Sequence, residues 1–278
     1  MDRKAIQSHW QNWAETYRDS LRATTKTSSI KALEIDALRR AILGSPLHNN
    51  ENLKVLEVGC GNGYNCLSLL QSFPGADITG VDFVPEMVDH ARENLSQQDK
   101  SLGNQLRFLV GDVLQLDEHP ELAASYDVVF TDRCLINLPT QEMQEQGLIQ
   151  LCRKVNQDGI LLLIENQTQT HGNQNRLREA LGMDARKAAE FNLFMDQAKL
   201  IKTVESQGFK LQDIDHFASL HDILLYVLVP FMNGGQVDYD APIVHAATEL
   251  LLKAQQDTPH GFGDYGQNPL FIFSRTEQ

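Results

Sequence analysis

The sequence predicts an α/β fold in which helices cover both faces of a mostly parallel sheet. The first observation is that short apolar strands alternate with helices from Leu53 to Glu165. The second is that these strands are apolar along their length, which is typical of strands buried on both faces. The third is a glycine-rich turn between the first strand and its helix, where a ligand can approach the backbone closely.

Two helices are predicted before the sheet begins. The first presents aromatic and aliphatic side chains on one face, at spacings of 4, 3 and 4 residues: Ile6, Trp10, Trp13 and Tyr17. The second helix, residues 30–43, follows a pair of serines that can cap it and stops before a Gly-Ser-Pro sequence at residues 44–46. We therefore expect residues 1–50 to form a helical N-terminal cap.

Five strands and three connecting helices are predicted in the next part of the chain. The strands are residues 53–58, 77–82, 106–110, 126–131 and 159–165, and the helices are residues 62–71, 85–95 and 141–155. Pro85 suits the first turn of its helix, because an N–H there has no helical partner. After Asn166 the alternation weakens, although residues 199–207 predict a helix and residues 209–217 a sixth strand. We take residues 51–217 as the core.

The end of the chain predicts a cover and a last strand. Residues 270–274 are mostly apolar and predict a strand, so residues 269–278 should return to the core. Residues 218–268 separate the sixth and last strands and contain helical stretches. Because an insertion of this length often covers a site, we expect a helical lid insertion here.

Composition and charge restrict the partners. The 278 residues include 24 Lys plus Arg and 37 Asp plus Glu, which gives a formal net charge of −13. Duplex nucleic acid and anionic membrane surfaces both bind concentrated positive charge, so we expect a small-molecule partner, no nucleic acid and no membrane. Four cysteines without a C-x-x-C pair, together with a polar N-terminus, predict a cytoplasmic protein. No metal is expected, and the oligomeric state stays open, a homodimer included.

The most informative residues follow the first strand and read Glu-Val-Gly-Cys-Gly-Asn-Gly over positions 57–63. The helix that begins there offers free N–H groups and a positive dipole end to a ligand. A dinucleotide fingerprint needs Gly or Ala where this chain has Tyr64, which disfavours a nicotinamide cofactor. Asp82 closes the second strand, where a carboxylate can accept both hydroxyls of a ribose. Asp112 follows the third strand, where it can bind the edge of an adenine.

The glycine loop, Asp82 and Asp112, in this order and spacing, resemble the class I S-adenosylmethionine-dependent methyltransferases that act on small molecules. The resemblance covers about residues 53–165. It implies a Rossmann-like, seven-stranded, mostly parallel sheet with a reversed last strand, with S-adenosyl-L-methionine as cofactor and S-adenosyl-L-homocysteine as its product. The residues that it assigns to the cofactor are Tyr17, Glu57, Gly59, Gly61, Gly63, Asp82, Phe83, Met87, Asp112, Val113 and Thr131.

Within that resemblance, each part of the cofactor has an expected neighbour. Glu57 should lie near the amino group and Tyr17 near the carboxylate. Asp82 should bind the ribose and Asp112 the adenine amine, with Phe83 and Met87 among the residues packed on the purine. The hydroxyl-rich residues 21–27, which include an arginine and a lysine, could bind the cofactor carboxylate or an anionic acceptor.

Methyl transfer from a sulfonium is an in-line displacement, so the acceptor must be positioned but no covalent nucleophile is needed. A hydroxyl acceptor benefits from a general base. The candidates for catalysis are His171, His221 and Asp132, and the candidates for substrate binding are Arg133, Asn166 and Tyr226. Two structural alternatives stay open: Asp132 and Arg133 can pair with each other, and His171 can lie in a solvated loop.

We expect methylation of a small-molecule hydroxyl, for example on a saccharide or a natural product. N- or C-methylation of a small metabolite is the alternative. A non-catalytic S-adenosylmethionine-binding regulatory subunit and a nicotinamide oxidoreductase are further alternatives. The loop after the fourth strand lacks the N/D-P-P-Y/F sequence of nucleic-acid and glutamine amino-methyltransferases, which argues against those targets.

Overall fold

The computed structural model describes residues 1–18, 20–98, 105–254 and 262–276. Its centre is a sheet of seven strands. They are β1 (Lys54–Val58), β2 (Asp77–Asp82), β3 (Leu106–Val110), β4 (Tyr126–Asp132), β5 (Val155–Ile164), β6 (Phe209–Asp215) and β7 (Leu270–Arg275). In space they follow the order β3-β2-β1-β4-β5-β7-β6.

The strand directions confirm the predicted fold class. Strands β1 to β5 pair in parallel, whereas β7 runs antiparallel to both β5 and β6. Opposite Ile164 at the end of β5 lies Leu270 at the start of β7. The reversed last strand that the resemblance implied is therefore present.

Helices surround this sheet. They are α1 (Arg3–Tyr17), α2 (Ser28–Leu43), α3 (Tyr64–Ser72), α4 (Pro85–Ser96), α5 (Gln141–Arg153), α6 (Thr168–Ala180), α7 (Gln197–Ser206), α8 (Ser219–Ile223), α9 (Val229–Met232) and α10 (Pro242–Ala254). A π-helical turn, Leu224–Leu228, joins α8 to α9. Within the described residues, no helix is both long enough and apolar enough to cross a membrane.

Successive residues of the central strands pack alternately into two separate hydrophobic cores. Val128 and Phe130 of β4 face a core built with α2, α3, α4 and α10, whereas Val129 faces a core built with α5 and α7. This alternation is the period of two expected for a strand that is covered on both sides. Helix α2, which lies in the predicted cap, contributes Leu33 and Leu38 to the first core. The proposed division into cap, core and lid stays a prediction.

Three local differences from the sequence-based prediction have physical causes. Helix α3 begins at Tyr64 rather than at residue 62, because Gly61 and Gly63 have positive φ angles of 52° and 81°. Strand β6 ends at Asp215, where the chain turns towards α8. Helix α6 was not predicted, since its buried residues are polar and give no apolar period. Residues 255–261 of the predicted lid lie outside the described residues.

The π-helical turn follows from Pro230. A proline has no N–H, so the carbonyl of Tyr226, four residues earlier, loses its usual helical donor. Arg178 replaces that donor, with its Nη1 2.6 Å from the Tyr226 carbonyl oxygen. The widened turn therefore connects the lid region to α6.

Candidate functional site

The site lies where the order of the sheet reverses. Strands β1 and β4 are neighbours, but the chain leaves them towards opposite edges, which opens a crevice at their carboxyl ends. A cavity of about 460 Å³ occupies this position. Its described walls come from the glycine turn, the ends of β2, β3 and β4, the N-terminal residues up to α2, residues 186–194 and the region around α8.

The glycine turn brings bare backbone to the cavity wall. Gly59 has a φ of 81°, and a Cβ there would lie 2.6 Å from the Cβ of Cys134. A Cβ on Gly61, whose φ is 52°, would collide with Cγ2 of Thr24. Both positions therefore require glycine for conformation and for space. Gly63 instead packs against Phe108 and lies behind the cavity.

Asp82 is held at the end of β2 by two backbone donors. Its Oδ2 accepts a hydrogen bond from the Gly61 N–H (2.8 Å), and its Oδ1 accepts one from the Val84 N–H (2.9 Å). Burial raises the pKa of Asp82, and these backbone donors oppose that rise. Because the two oxygens of a carboxylate have four lone pairs between them, Asp82 can still accept from a ligand hydroxyl.

Asp112 has a partner that the sequence analysis missed. Its Oδ1 accepts from the Leu114 N–H (3.0 Å), and its Oδ2 pairs with Nη2 of Arg3 (2.5 Å). The Arg3 guanidinium also lies 4.8 Å from the ring centre of Phe83. Arg3 lies three residues before Ile6, on the same face of α1, and this spacing gives no indication of its distant partner. The helix therefore closes the cavity on the side expected for adenine.

A buried ionic cluster forms the floor of the cavity. Lys31 Nζ pairs with Glu34 (2.8 Å) and with Asp132, and Arg133 Nε lies 3.1 Å from Glu34 and 3.2 Å from Asp132. Burial raises the pKa of Asp132, but Lys31 and Arg133 outweigh it and hold that pKa well below its usual range. Asp132 and Arg133 do pair with each other, as the structural alternative proposed. Sequence reasoning did not single out the α2 residues of this cluster.

Asn65 connects the floor to the end of β1. Its Nδ2 donates to Glu57 (2.8 Å) and to Asp132 (3.0 Å), so its Oδ1 points away from both carboxylates and has no partner in the described residues. Glu57 also accepts a hydrogen bond from the Cys66 thiol (2.9 Å). Burial raises the pKa of Glu57 to about 7. A cationic donor such as an ammonium would satisfy the Asn65 oxygen and favour the ionised form of Glu57.

Glu165 fixes the loop that follows β4. Its carboxylate accepts hydrogen bonds from the backbone N–H groups of Cys134 (3.1 Å), Leu135 (3.0 Å) and Ile136 (3.2 Å), and from the Thr131 hydroxyl (2.7 Å). Burial raises the pKa of Glu165 to about 7, against the effect of these donors. Glu165 is therefore a positioning residue for the cavity wall. Sequence reasoning named Glu165 only as the end of a strand.

His221 and Asp222 form a buried pair in the cavity wall. Nδ1 of His221 lies 2.8 Å from Oδ1 of Asp222, and Oδ2 of Asp222 accepts from the Gln267 backbone N–H (2.7 Å). An ionised carboxylate only accepts hydrogen bonds, so Nδ1 carries the proton. Nε2 of His221 is then the basic nitrogen, and it has no hydrogen-bond partner in the described residues. Each side chain is at most 2% exposed.

Aromatic side chains cover the cavity. His9 of α1 stacks on Phe191 with 4.1 Å between ring centres and packs on Trp13 at 5.2 Å. Trp10 donates from its indole N–H to Asn137 Oδ1 (3.1 Å), in the loop after β4. The first helix therefore contacts two walls of the cavity at once.

Most predicted site residues meet in this cavity. Those that line it are Glu57, Gly59, Gly61, Asp82, Phe83, Met87, Asp112, Val113, Asp132, Arg133, Asn166, His221 and Tyr226. Tyr17, Gly63, Thr131 and His171 are not among the described lining residues. His171 lies on α6 and packs edge-on against Phe194, with 5.0 Å between ring centres. Burial and Arg186 lower its pKa. The roles that we assigned to these residues stay predictions.

The lining fits a ligand that brings hydrogen-bond donors and a nucleoside. Four buried polar atoms of lining residues have no partner in the described part of the chain: Asn65 Oδ1, Asn166 Oδ1, Asn192 Oδ1 and His221 Nε2. All four can accept hydrogen bonds, as can the spare lone pairs of Asp82. S-adenosylmethionine offers an ammonium group and two ribose hydroxyls as donors, so the residues present fit this cofactor.

Comparison with known proteins points the same way. A family model described as a methyltransferase domain matches residues 49–219. The malonyl-[acyl-carrier protein] O-methyltransferase of Acetivibrio thermocellus is 27% identical over 165 residues, which are 58% of this chain and 49% of that protein. The demethylmenaquinone methyltransferase of Deinococcus radiodurans is 33% identical over 127 residues, 46% of this chain and 48% of that protein.

The fold also has a similar solved structure. The TehB-like SAM-dependent methyltransferase from Corynebacterium glutamicum superposes with a TM-score of 0.52 at 15% identity, over 97% of this chain and 99% of that one. This chain spans about half the length of the two curated relatives.

Proposed function

This chain belongs to the methyltransferase domain family, which confirms the resemblance to the class I S-adenosylmethionine-dependent methyltransferases, and we propose that it methylates a hydroxyl oxygen of a small molecule. S-adenosylmethionine is the methyl donor in this proposal and S-adenosylhomocysteine is the second product. The chain's own residues bind the cofactor, hold the acceptor opposite its sulfur and remove the hydroxyl proton.

The observation that carries the proposal is the His221–Asp222 pair. A neutral hydroxyl is a weak nucleophile that gains from a base as it attacks, whereas a neutral amine can attack first and lose its proton afterwards. Nε2 of His221 is buried, basic and unpartnered within the described residues, and His221 lines the same cavity as Asp82 and the glycine turn. This combination favours O-methylation over N- or C-methylation.

Each group then has a defined task. Asp82 binds the ribose hydroxyls with its spare lone pairs, and the bare backbone at Gly59 and Gly61 lets the cofactor approach. When bound, the cofactor supplies an electrophilic methyl group on sulfur. His221 takes the acceptor's hydroxyl proton at Nε2, and the carboxylate of Asp222 stabilises the imidazolium that results. The aromatic cover formed by α1 and Phe191 excludes water.

The test is a search for the acceptor. The purified full chain is incubated with isotopically labelled S-adenosylmethionine and a fractionated metabolite pool, and products that gain one labelled methyl group are identified by mass spectrometry. The expected product is a methyl ether that carries the label on oxygen. A label on nitrogen or carbon would contradict O-methylation, and cofactor binding without transfer to any fraction would favour a regulatory subunit. His221→Asn serves as the matched control, with label transfer greatly reduced.

A further inference from the structure

A cation without a counterion lies in the wall of the cavity. Arg186, which follows α6, lines the cavity, and no carboxylate of the described residues lies within ion-pair distance of its guanidinium. The other lining cations that are not exposed are compensated. Lys31 and Arg133 share Glu34 and Asp132. Arg186 is partly buried, and among the lining arginines and lysines that are not exposed it alone has no ion-pair partner in the described residues.

Neutral groups hold the Arg186 guanidinium in place. Nη1 donates to Oε1 of Gln174 (2.8 Å) and Nη2 donates to Oε1 of Gln267 (3.1 Å). The guanidinium carbon also lies 3.5 Å from the ring centre of Tyr226, which is a stacking distance. These neutral partners orient the guanidinium but do not neutralise its charge. Three of its five N–H donors stay available, including the Nε–H, and this planar fork matches the two oxygens of a carboxylate.

The same framework orients the proposed base. Gln267 accepts from Arg186 with its side chain, and its backbone N–H donates to Oδ2 of Asp222 (2.7 Å). Asp222 in turn holds Nδ1 of His221 (2.8 Å). Both carboxylate oxygens of Asp222 are thus engaged, and Asp222 makes no direct ion pair with Arg186 in the described residues. Gln174 makes a second link, since it accepts from Arg186 with its Oε1 and its Nε2 lies 3.5 Å from Oδ2 of Asp222.

The surroundings of Arg186 are aromatic and basic. Phe191, Phe194 and Tyr226 line this side of the cavity, and Lys187 lies next to Arg186 in its wall. The whole chain carries a net charge of −13, so two adjacent cations in this wall are not a reflection of its composition. An acceptor with an aromatic ring and a carboxylate would match both features.

We propose that the acceptor is an aromatic hydroxy acid, whose carboxylate pairs with Arg186 while its hydroxyl is presented to His221. This inference rests on the proposed function, because it uses His221 as the base that receives the hydroxyl proton. The carboxylate is the anchor and keeps its charge throughout. Arg186 is therefore a specificity-determining residue and takes no part in proton transfer.

The test compares acids with their amides on the full chain saturated with S-adenosylhomocysteine. The probes are salicylate, gallate and caffeate, each paired with its neutral amide, and inorganic phosphate alone. Affinities are measured by calorimetry. At least one acid should bind roughly 10- to 150-fold more tightly than its amide, the range expected for a charge-assisted hydrogen-bond pair in a partly buried site.

Three variants separate the role of Arg186 from general electrostatics. Arg186→Gln should abolish the preference for the acid and leave the affinity for the amide unchanged. Arg186→Lys, which keeps the charge but loses the fork, should retain only part of the preference. Arg176→Gln is the matched control, because Arg176 lies exposed on α6, outside the described lining, and its replacement removes the same charge.

The outcomes distinguish this inference from the proposed function. If S-adenosylhomocysteine binds but no acid binds better than its amide, or the preference survives in Arg186→Gln, the carboxylate anchor is wrong and the methyltransferase proposal stands. Arg186-dependent binding of phosphate without binding of any acid would also overturn it. Failure to bind S-adenosylhomocysteine would instead count against the cofactor site.

Discussion

Replacement of His221 by asparagine tests the proposed chemistry most sharply. The Nδ2 of asparagine occupies nearly the position of the histidine Nδ1, so the hydrogen bond to Asp222, 2.8 Å in the wild type, can persist. The basic Nε2 is removed. The variant therefore keeps the buried carboxylate paired, which limits the cost to folding, while it deletes the group that we expect to receive the proton.

The expected loss of rate in His221→Asn follows from the role of His221 as a general base. General base catalysis contributes about 10²- to 10⁴-fold, or roughly 3–5 kcal/mol of transition-state stabilisation. Asp222→Asn loses only the charge-assisted bond that orients and stabilises the imidazole, about 1.5–3 kcal/mol, so kcat should fall by roughly 10- to 150-fold. Because Asp222 acts through His221, the double variant should be about as slow as His221→Asn alone.

The assay is the initial rate of S-adenosylhomocysteine formation with the acceptor identified by label transfer. Cofactor affinity, measured by calorimetry, should stay unchanged, since Asp82 and the glycine turn are intact. His245→Asn is the control: this histidine lies on α10, 3.1 Å from the Ser29 hydroxyl and outside the described lining of the site. A kcat for His221→Asn within about threefold of wild type would refute base catalysis by His221.

Three further predictions concern residues that line the cavity. Gly61→Ala should weaken S-adenosylhomocysteine binding at least about tenfold in calorimetry, because a Cβ would collide with Thr24; unchanged affinity would contradict the close approach. Lys31→Met should cost about 3–5 kcal/mol in urea unfolding, because it leaves Asp132 and Glu34 buried with one cation fewer; a loss below about 1 kcal/mol would argue against the buried cluster. Between about pH 5 and pH 8 the folded chain binds more protons at Glu57, whose pKa is raised from 4.5 to about 7, than the unfolded chain does. Stability should therefore fall as the pH rises, by about 3 kcal/mol from this group, and Glu57→Gln should make the fall smaller by that amount, while the contribution of Glu165 remains. The same pH dependence in wild type and Glu57→Gln would contradict the raised pKa of Glu57.

The strand pattern and the glycine loop were predictable because they depend on local sequence. Continuous apolar strands and the glycine at position 59 need only neighbouring residues to be recognised. The ribose-binding position of Asp82 follows from its place at the end of a strand, and the structure brings it to the glycine turn. Features of this kind depend on residues that are close in the sequence, so hydrophobic periodicity and residue spacing are enough to predict them.

Contacts between distant parts of the chain were not predictable in the same way. The pairing of Lys31 with Asp132 joins residues 101 positions apart, and Arg3 with Asp112 joins residues 109 apart. Helix α6 escaped prediction because it buries Gln174 and Arg178 in hydrogen bonds rather than an apolar face. The sequence also named both His171 and His221 as candidate bases. The fold distinguishes them, because His221 lies in the cavity wall whereas His171 packs against Phe194.

The most direct measurement is the titration of the full chain with S-adenosylhomocysteine, in parallel with its Asp82→Asn variant. A single site should release heat in the wild type, and the variant should bind about 1–3 kcal/mol more weakly because the ribose loses a charged acceptor. An equal affinity in the variant, or no heat from the wild type with either S-adenosylhomocysteine or S-adenosylmethionine, would contradict a cofactor site at the end of β2.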